Sequence, residues 1–173
     1  MGQTGSDRFT DEPLIVFVEI AKGDRNKYEF DPEIGGIVLD RTLFASVAYP
    51  ADYGFIEGTL GRDDDPLDAL VLTGAPTFPG CRVRARPIAM FRMTDQDGPD
   101  EKILCVPIRD PTWSELRDLT DVPDSLLREI EHFFRVYKDL EGVSPDIDGF
   151  VGCEEALETL RASFRRARQQ GAA

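Results

Sequence analysis

The chain has 173 residues, 41% of them apolar and 31% charged, and its formal net charge is −13. This length predicts one globular domain at residues 13–173, preceded by a flexible tail at residues 1–12. The acidic balance argues against nucleic acid as a partner, because phosphate backbones need a basic face. It also implies that a phosphate substrate would bind only together with a divalent cation.

Neither a membrane anchor nor a disulfide framework is expected from the sequence. No apolar run approaches the ~20 residues that span a membrane. Cys81, Cys105 and Cys153 are odd in number and lack zinc-ligand or redox spacing. The single histidine, His132, leaves little scope for a zinc site or a Ser-His-Asp triad. We therefore expect no membrane partner and a cytoplasmic location.

Strand patterns fill the first two-thirds of the chain, at 14–20, 27–31, 36–40, 49–56 (irregular), 67–73, 81–93 and 102–107. The apolar period then becomes helical. We predict a short helix at 110–116, a long helix with one apolar stripe at 123–140, and a further helix at 154–170. Strands followed by helices favour an α+β fold, in which a closed or nearly closed antiparallel β-barrel is covered on one side by the long helix.

Two acidic turns stand out at the ends of predicted strands. Asp63, Asp65 and Asp68 precede one strand, and Asp95 and Asp100 flank the turn between two later strands. Crowded carboxylates repel one another, so a fold holds them around a cation, shares a proton between them, or leaves them in water. One such turn is most simply a solvated loop, but antiparallel strands could bring these two together.

Gathered carboxylates provide only oxygen ligands, which suit Mg²⁺ or Mn²⁺ rather than zinc or copper. Metal ions close together can acidify water and support its attack on phosphorus. Basic side chains near predicted strand or helix ends could neutralise phosphoryl oxygens; these are Lys27, Arg41, Lys102 and Lys138. The residues therefore favour metal-assisted phosphoryl hydrolysis, and the spacings of an EF-hand or a P-loop are absent.

Seven motifs between Glu19 and Glu141 carry a resemblance to a known family. In chain order they are Glu19, LysTyrGlu at 27–29, AspArg at 40–41, TyrProAlaAspTyrGlyPheIle at 49–56, AspAspAspProLeuAsp at 63–68, MetThrAspGlnAspGlyProAspGluLys at 93–102, and HisPhePheArgValTyrLysAspLeuGlu at 132–141. In this order they resemble the soluble family I inorganic pyrophosphatases of the bacterial type.

The resemblance implies hydrolysis of pyrophosphate, bound as its metal complex, on a five-stranded OB-like barrel flanked by two or three helices in a homohexamer. It implies Mg²⁺, with Mn²⁺ as a possible substitute, at Glu19, Glu29, Asp63, Asp68, Asp95 and Asp100. Asp65 would accept the proton of the attacking water, with Asp100 as the alternative acceptor. The substrate phosphates would be held by Lys27, Arg41, Tyr53, Lys102, Tyr137 and Lys138.

Two departures from the family pattern leave other functions open. Asp64 stands where the family commonly has Gly, and residues 142–150 lack the lysine that usually follows Glu141. These departures would suit a non-catalytic barrel that binds a metal or an anionic partner. Hydrolysis of nucleotide phosphoanhydrides is a third possibility.

Overall fold

A computed structural model describes residues 13–171. Its strands are β1 (Leu14–Ile20), β2 (Asn26–Asp31), β3 (Gly36–Thr42), β4 (Asp52–Ile56), β5 (Asp68–Val71), β6 (Arg82–Asp95), β7 (Gly98–Pro107) and β8 (Asp146–Val151). Its helices are α1 (Asp124–Val136) and α2 (Cys153–Gln169), with short 3-10 turns at Leu119–Asp121 and Asp139–Glu141. No helix in this range is long and apolar enough to cross a membrane. The predicted tail at residues 1–12 lies outside the described residues.

Five strands close into a ring in the order β1-β4-β5-β7-β6, and β6 returns to pair with β1. β8 pairs with the second half of β6, and β2 and β3 form a separate hairpin. The ring and its helices confirm the predicted fold. One pair departs from an all-antiparallel ring, because β5 and β7 run parallel. A closed ring of five strands cannot be antiparallel throughout, because five is an odd number; here four pairs are antiparallel and the fifth, β5–β7, is parallel.

Alternate residues of the ring strands pack into two apolar clusters. Leu70 and Leu104 belong to the cluster that contains side chains of α1, whereas Ala69 and Ile103 belong to the cluster that contains side chains of α2. The two helices therefore bury different faces of the same strands. Residues 62–66 and 96–97 stay exposed, outside both clusters.

The irregular strand predicted at 49–56 is regular only in its second half, where β4 begins at Asp52. β4 pairs with β1 across a register shift between Val18 and Ile20. A Cβ on Gly54 would lie 1.9 Å from the Phe17 carbonyl oxygen, so the two strands can approach only at a glycine.

Residues 110–116 form a turn, and the prediction of a short helix there is wrong. Asp110 caps the turn by accepting hydrogen bonds from two following backbone amides. Arg86 of β6 donates to the carbonyl oxygens of Ser114 and Leu116, at 2.6 and 2.7 Å. A side chain from the ring thus satisfies two backbone carbonyl groups of this turn.

The other helix predictions hold, with different ends. α1 stops at Val136 because the chain tightens into the 3-10 turn Asp139–Glu141, which Gly142 closes in the left-handed region. α2 matches the predicted second helix to within one residue at each end. β8 was not predicted, and its pairing with β6 is a long-range contact that its own sequence does not signal.

Candidate active site

The loop between β4 and β5, together with the first residue of β5, carries three of the predicted site carboxylates. Asp63 and Asp65 lie on this loop, and Asp68 begins β5. The amide of the buried Gly61 donates to the Asp65 carbonyl oxygen at 2.6 Å. A Cβ on Gly61 would lie only 2.9 Å from that oxygen, so glycine allows the loop to close on itself.

Two buried hydroxyl groups hold the base of this loop. Thr59 donates to the Ile56 carbonyl oxygen at 2.6 Å and accepts from the Leu67 amide at 2.9 Å. Ser163 of α2 bonds both backbone groups of Leu60, at 2.7 and 2.8 Å. Neither residue was predicted from the sequence. Ser163 is a polar side chain on the apolar stripe of a helix, and that mismatch was the available signal.

Asp64 has a φ of 70° and is the only non-glycine residue with positive φ in the described part of the chain. The aspartate that stands where the family commonly has glycine therefore adopts the left-handed conformation. Aspartate tolerates this region better than most residues, because its short polar side chain can bond locally. The loop thus keeps a conformation that glycine adopts most easily.

Asp64→Gly is expected to be roughly 0.5–1 kcal/mol more stable to unfolding than Asp64→Ala. A Cβ in the left-handed region costs about 1–2 kcal/mol, and the greater entropy of an unfolded glycine offsets about 0.4–1 kcal/mol of that difference. Urea unfolding of both variants at one protein concentration measures it. Equal stabilities would contradict the left-handed conformation at this position.

The β6–β7 hairpin brings the second acidic turn to the same place. Asp95 ends β6, and Asp100 is the third residue of β7 after a turn at Gln96 and Asp97. This hairpin and the first loop together line a cavity of about 400 Å³, called the acidic cavity below. The lining includes all five predicted aspartates, which are Asp63, Asp65, Asp68, Asp95 and Asp100. The two turns therefore meet, but they do so through the parallel β5–β7 pair and not through the antiparallel strands that the sequence suggested.

A buried lysine lies behind the wall of the acidic cavity. Lys102 is 2% exposed, and its Nζ lies 2.8 Å from Asp68 Oδ2 and 2.7 Å from Asp100 Oδ1. It also donates to the Tyr53 hydroxyl at 2.9 Å, and that hydroxyl donates to Asp68. Burial lowers the pKa of Lys102, but the two carboxylates outweigh burial and raise the pKa above its usual range. Lys102 is therefore a fixed positive charge at the site.

The β2–β3 hairpin carries Lys27, Glu29 and Arg41 beside the site. None of the three lines the acidic cavity. Lys27 contacts Glu29 and lies 3.2 Å from Asp40. Arg41 lies 3.5 Å from Glu141, which follows α1. A phosphate group would have to replace these carboxylates to bind the two cations.

Glu19 of β1 turns its carboxylate toward the same hairpin. Its Oε1 accepts a hydrogen bond from the Phe30 amide at 2.8 Å. Burial and the charges of Asp68 and Glu29 raise the pKa of Glu19 to about 7, although the bond from Phe30 acts in the opposite direction. A cation bound near Glu19 would therefore displace a proton at neutral pH.

Tyr137 and Lys138 follow the end of α1. The buried Tyr137 ring packs on Phe133 and Phe134, with centroids 5.3 and 5.6 Å apart. Lys138 Nζ lies 3.9 Å from Asp95 Oδ2. The chain after α1 thus supplies a cation to the second acidic turn.

The predicted site residues fall into three groups by position. The five aspartates line the acidic cavity, and three further residues contact those aspartates directly; these are Tyr53, Lys102 and Lys138. The remaining predicted residues lie outside the cavity lining, and they are Glu19, Lys27, Glu29, Arg41 and Tyr137.

The donor set of the acidic cavity fits a hard divalent cation, because every candidate ligand atom is a carboxylate oxygen. Within residues 13–171 no three such side chains already stand as a complete metal site. Asp68 and Asp100 each turn one oxygen to Lys102 instead. In that range, Asp68 Oδ1 and Asp100 Oδ2 accept no hydrogen bond, so each carboxylate keeps a free oxygen for a cation.

Comparison with known proteins shows which family the chain belongs to. The family model described as inorganic pyrophosphatase matches residues 16–168. The inorganic pyrophosphatase of Streptomyces coelicolor is 56% identical over 157 residues, which are 90% of this chain and 96% of that protein. The solved structure of the Helicobacter pylori inorganic pyrophosphatase has a TM-score of 0.88 at 40% identity and covers 91% of this chain and 94% of its own. The chain therefore belongs to the family of inorganic pyrophosphatases, the metal-dependent enzymes that hydrolyse pyrophosphate to phosphate.

Proposed function

We propose that pyrophosphate is hydrolysed at the acidic cavity as its Mg²⁺ complex. The observation that carries this proposal is the meeting of two acidic turns, from separate strands, around one cavity of about 400 Å³. The residues that would hold Mg²⁺, or Mn²⁺ in its place, are Asp63, Asp68, Asp95 and Asp100, with Glu19 and Glu29 at outer positions. Bound metal would supply positive charge to the phosphate oxygens and lower the pKa of water.

Asp65 is the proton acceptor in this proposal. Its carboxylate lines the acidic cavity and accepts no side-chain or backbone hydrogen bond within the described residues. Partial burial, followed by the charges of Asp63 and Asp68, raises the pKa of Asp65 and strengthens it as a base. Asp100 is the weaker candidate, because one of its oxygens already accepts a hydrogen bond from the Lys102 ammonium.

Six side chains would hold and orient the substrate phosphates: Lys27, Arg41, Tyr53, Lys102, Tyr137 and Lys138. Burial and Asp68 raise the pKa of Tyr53 well above its usual range, so its hydroxyl remains a hydrogen-bond donor. The flexible cations Lys27, Arg41 and Lys138 now contact carboxylates, and the charge of a phosphate group can compete for them.

The assembly that we propose is a homohexamer in the cytoplasm, with no nucleic-acid or membrane partner. Large apolar side chains in and beside the β2–β3 hairpin are exposed and would be covered by neighbouring copies; they include Ile34, Leu39 and Phe44. All three cysteines are free, which suits a reducing compartment. Light scattering after size exclusion measures the assembly.

Phosphate release from pyrophosphate tests the proposed metal. We expect turnover with Mg²⁺, a fall below about 1% with EDTA, and recovery when Mg²⁺ or Mn²⁺ is returned in excess. Activity that survives EDTA would contradict the metal assignment. ATP turnover as fast as pyrophosphate turnover would favour a nucleotide phosphoanhydride hydrolase. A folded protein that binds Mg²⁺ without releasing phosphate would favour the non-catalytic barrel.

A further inference from the structure

Arg62 is a cation at the acidic cavity that has no part in the proposed function. Among the described residues that line this cavity, it is the only basic one. Seven carboxylates line the cavity with it: Asp63, Asp65, Asp68, Asp95, Asp97, Asp100 and Glu101. Arg62 therefore stands in a strongly negative field without being buried in it, since its side chain is exposed.

The Arg62 guanidinium has no partner within residues 13–171, where no ion pair or hydrogen bond involves it. The other cations near the site differ in this respect. Lys27, Arg41, Lys102 and Lys138 each lie within 4 Å of at least one carboxylate oxygen. Arg62 is thus available to an incoming anion without first breaking an ion pair.

The backbone that presents Arg62 is held on both sides. Leu60, two residues earlier, is bonded by the buried Ser163 hydroxyl and by Arg166 Nε at 3.0 Å. Gly61 donates to the Asp65 carbonyl oxygen, which closes a turn that contains Arg62. The position of the Arg62 Cα therefore follows from the fold, and only the side chain is left to move.

From this arrangement we infer that Arg62 captures the incoming metal–pyrophosphate complex at the rim of the cavity by contacting a phosphate oxygen. This inference rests on the proposed function of the acidic cavity. A chain of net charge −13 repels an anionic substrate, and a cation at the entrance raises the local substrate concentration and the association rate. A guanidinium can bind two phosphate oxygens at once, so it also suits this ligand geometrically.

Steady-state kinetics of Arg62→Ala test the inference, with Arg84→Ala as the matched control. Arg84 is an exposed arginine of β6 that lies outside the cavity lining, so both variants change the net charge equally. We expect Arg62→Ala to lower kcat/KM about tenfold at low ionic strength, with kcat within about twofold of the wild type. Arg62→Lys should recover most of this loss, and Arg84→Ala should match the wild type.

The salt dependence distinguishes capture from a structural role. Added KCl should shrink the difference in kcat/KM between the wild type and Arg62→Ala, because salt screens the attraction between the guanidinium and the phosphate. Arg84→Ala should follow the wild type at every KCl concentration. The affinity of the Mg²⁺-loaded protein for methylenediphosphonate, which is not hydrolysed, should also fall in Arg62→Ala. An unchanged kcat/KM in Arg62→Ala, an equal loss in Arg84→Ala, or a loss confined to kcat would overturn the inference. A wild type that does not turn over pyrophosphate would instead overturn the proposed function.

Discussion

Replacement of Asp65 by Asn is expected to lower kcat for pyrophosphate by about 10²- to 10⁴-fold, the usual contribution of a general base. The amide is close in size to the carboxylate but cannot accept the proton of the attacking water. Asp65 is exposed on its loop, so the substitution removes no core packing. The loss should therefore appear with an unchanged unfolding midpoint.

Asp64→Asn is the matched control, because it removes the same charge from the neighbouring residue and asparagine also tolerates a positive φ. Its kcat should stay within about threefold of the wild type, since only the local field changes. Near-normal turnover of Asp65→Asn would contradict the assignment of Asp65 as the base. The Mg²⁺ concentration for half activity separates the loss of a base from the loss of a metal ligand: it should be unchanged in Asp65→Asn and raised in Asp100→Asn, which loses a proposed metal ligand.

The two acidic turns could be predicted from the sequence because their signals are local. Four aspartates lie within six residues around Pro66, and Asp95 and Asp100 lie on either side of Gly98. The proline and the glycine indicate turns, and the aspartates indicate that both turns are acidic. Alternation of apolar residues placed these turns at strand ends. Their meeting comes from the parallel pairing of β5 with β7, in which Asp68 lies opposite Lys102, and the sequence did not signal that pairing.

The supporting contacts could not be predicted because they join distant parts of the chain. Ser163 bonds Leu60 across 103 positions, and Arg86 donates to the carbonyl groups of Ser114 and Leu116 in the turn at 110–116. The burial of Lys102 is of the same kind. The sequence suggested a lysine near a phosphate group, but it gave no sign that the Lys102 ammonium lies between two carboxylates. The sequence shows where charged residues occur, but it does not show which distant residues contact them in the fold.

Lys102→Met is expected to destabilise the metal-free protein by about 2 kcal/mol. Methionine keeps an unbranched apolar stem but deletes the ammonium that neutralises Asp68 and Asp100. Removing one member of a fully buried ion pair costs about 3–5 kcal/mol, because the remaining charge is left without a partner. Here the two carboxylates are 32% and 28% exposed, and water reduces that penalty.

Mg²⁺ should stabilise Lys102→Met more than it stabilises the wild type. In the variant, the bound cation replaces the missing ammonium. In the wild type, the cation must compete with that ammonium for Asp68 and Asp100. Thermal unfolding with EDTA and with saturating Mg²⁺, at one protein concentration, measures both differences. Lys27→Met is the control, since its ion pairs lie on the more exposed hairpin and should be worth less than about 1 kcal/mol. Two outcomes would contradict this role of Lys102. Metal-free Lys102→Met could unfold at the same temperature as the wild type, or Mg²⁺ could raise its unfolding temperature no more than it raises that of the wild type. Either result would mean that Asp68 and Asp100 do not depend on Lys102 for neutralisation.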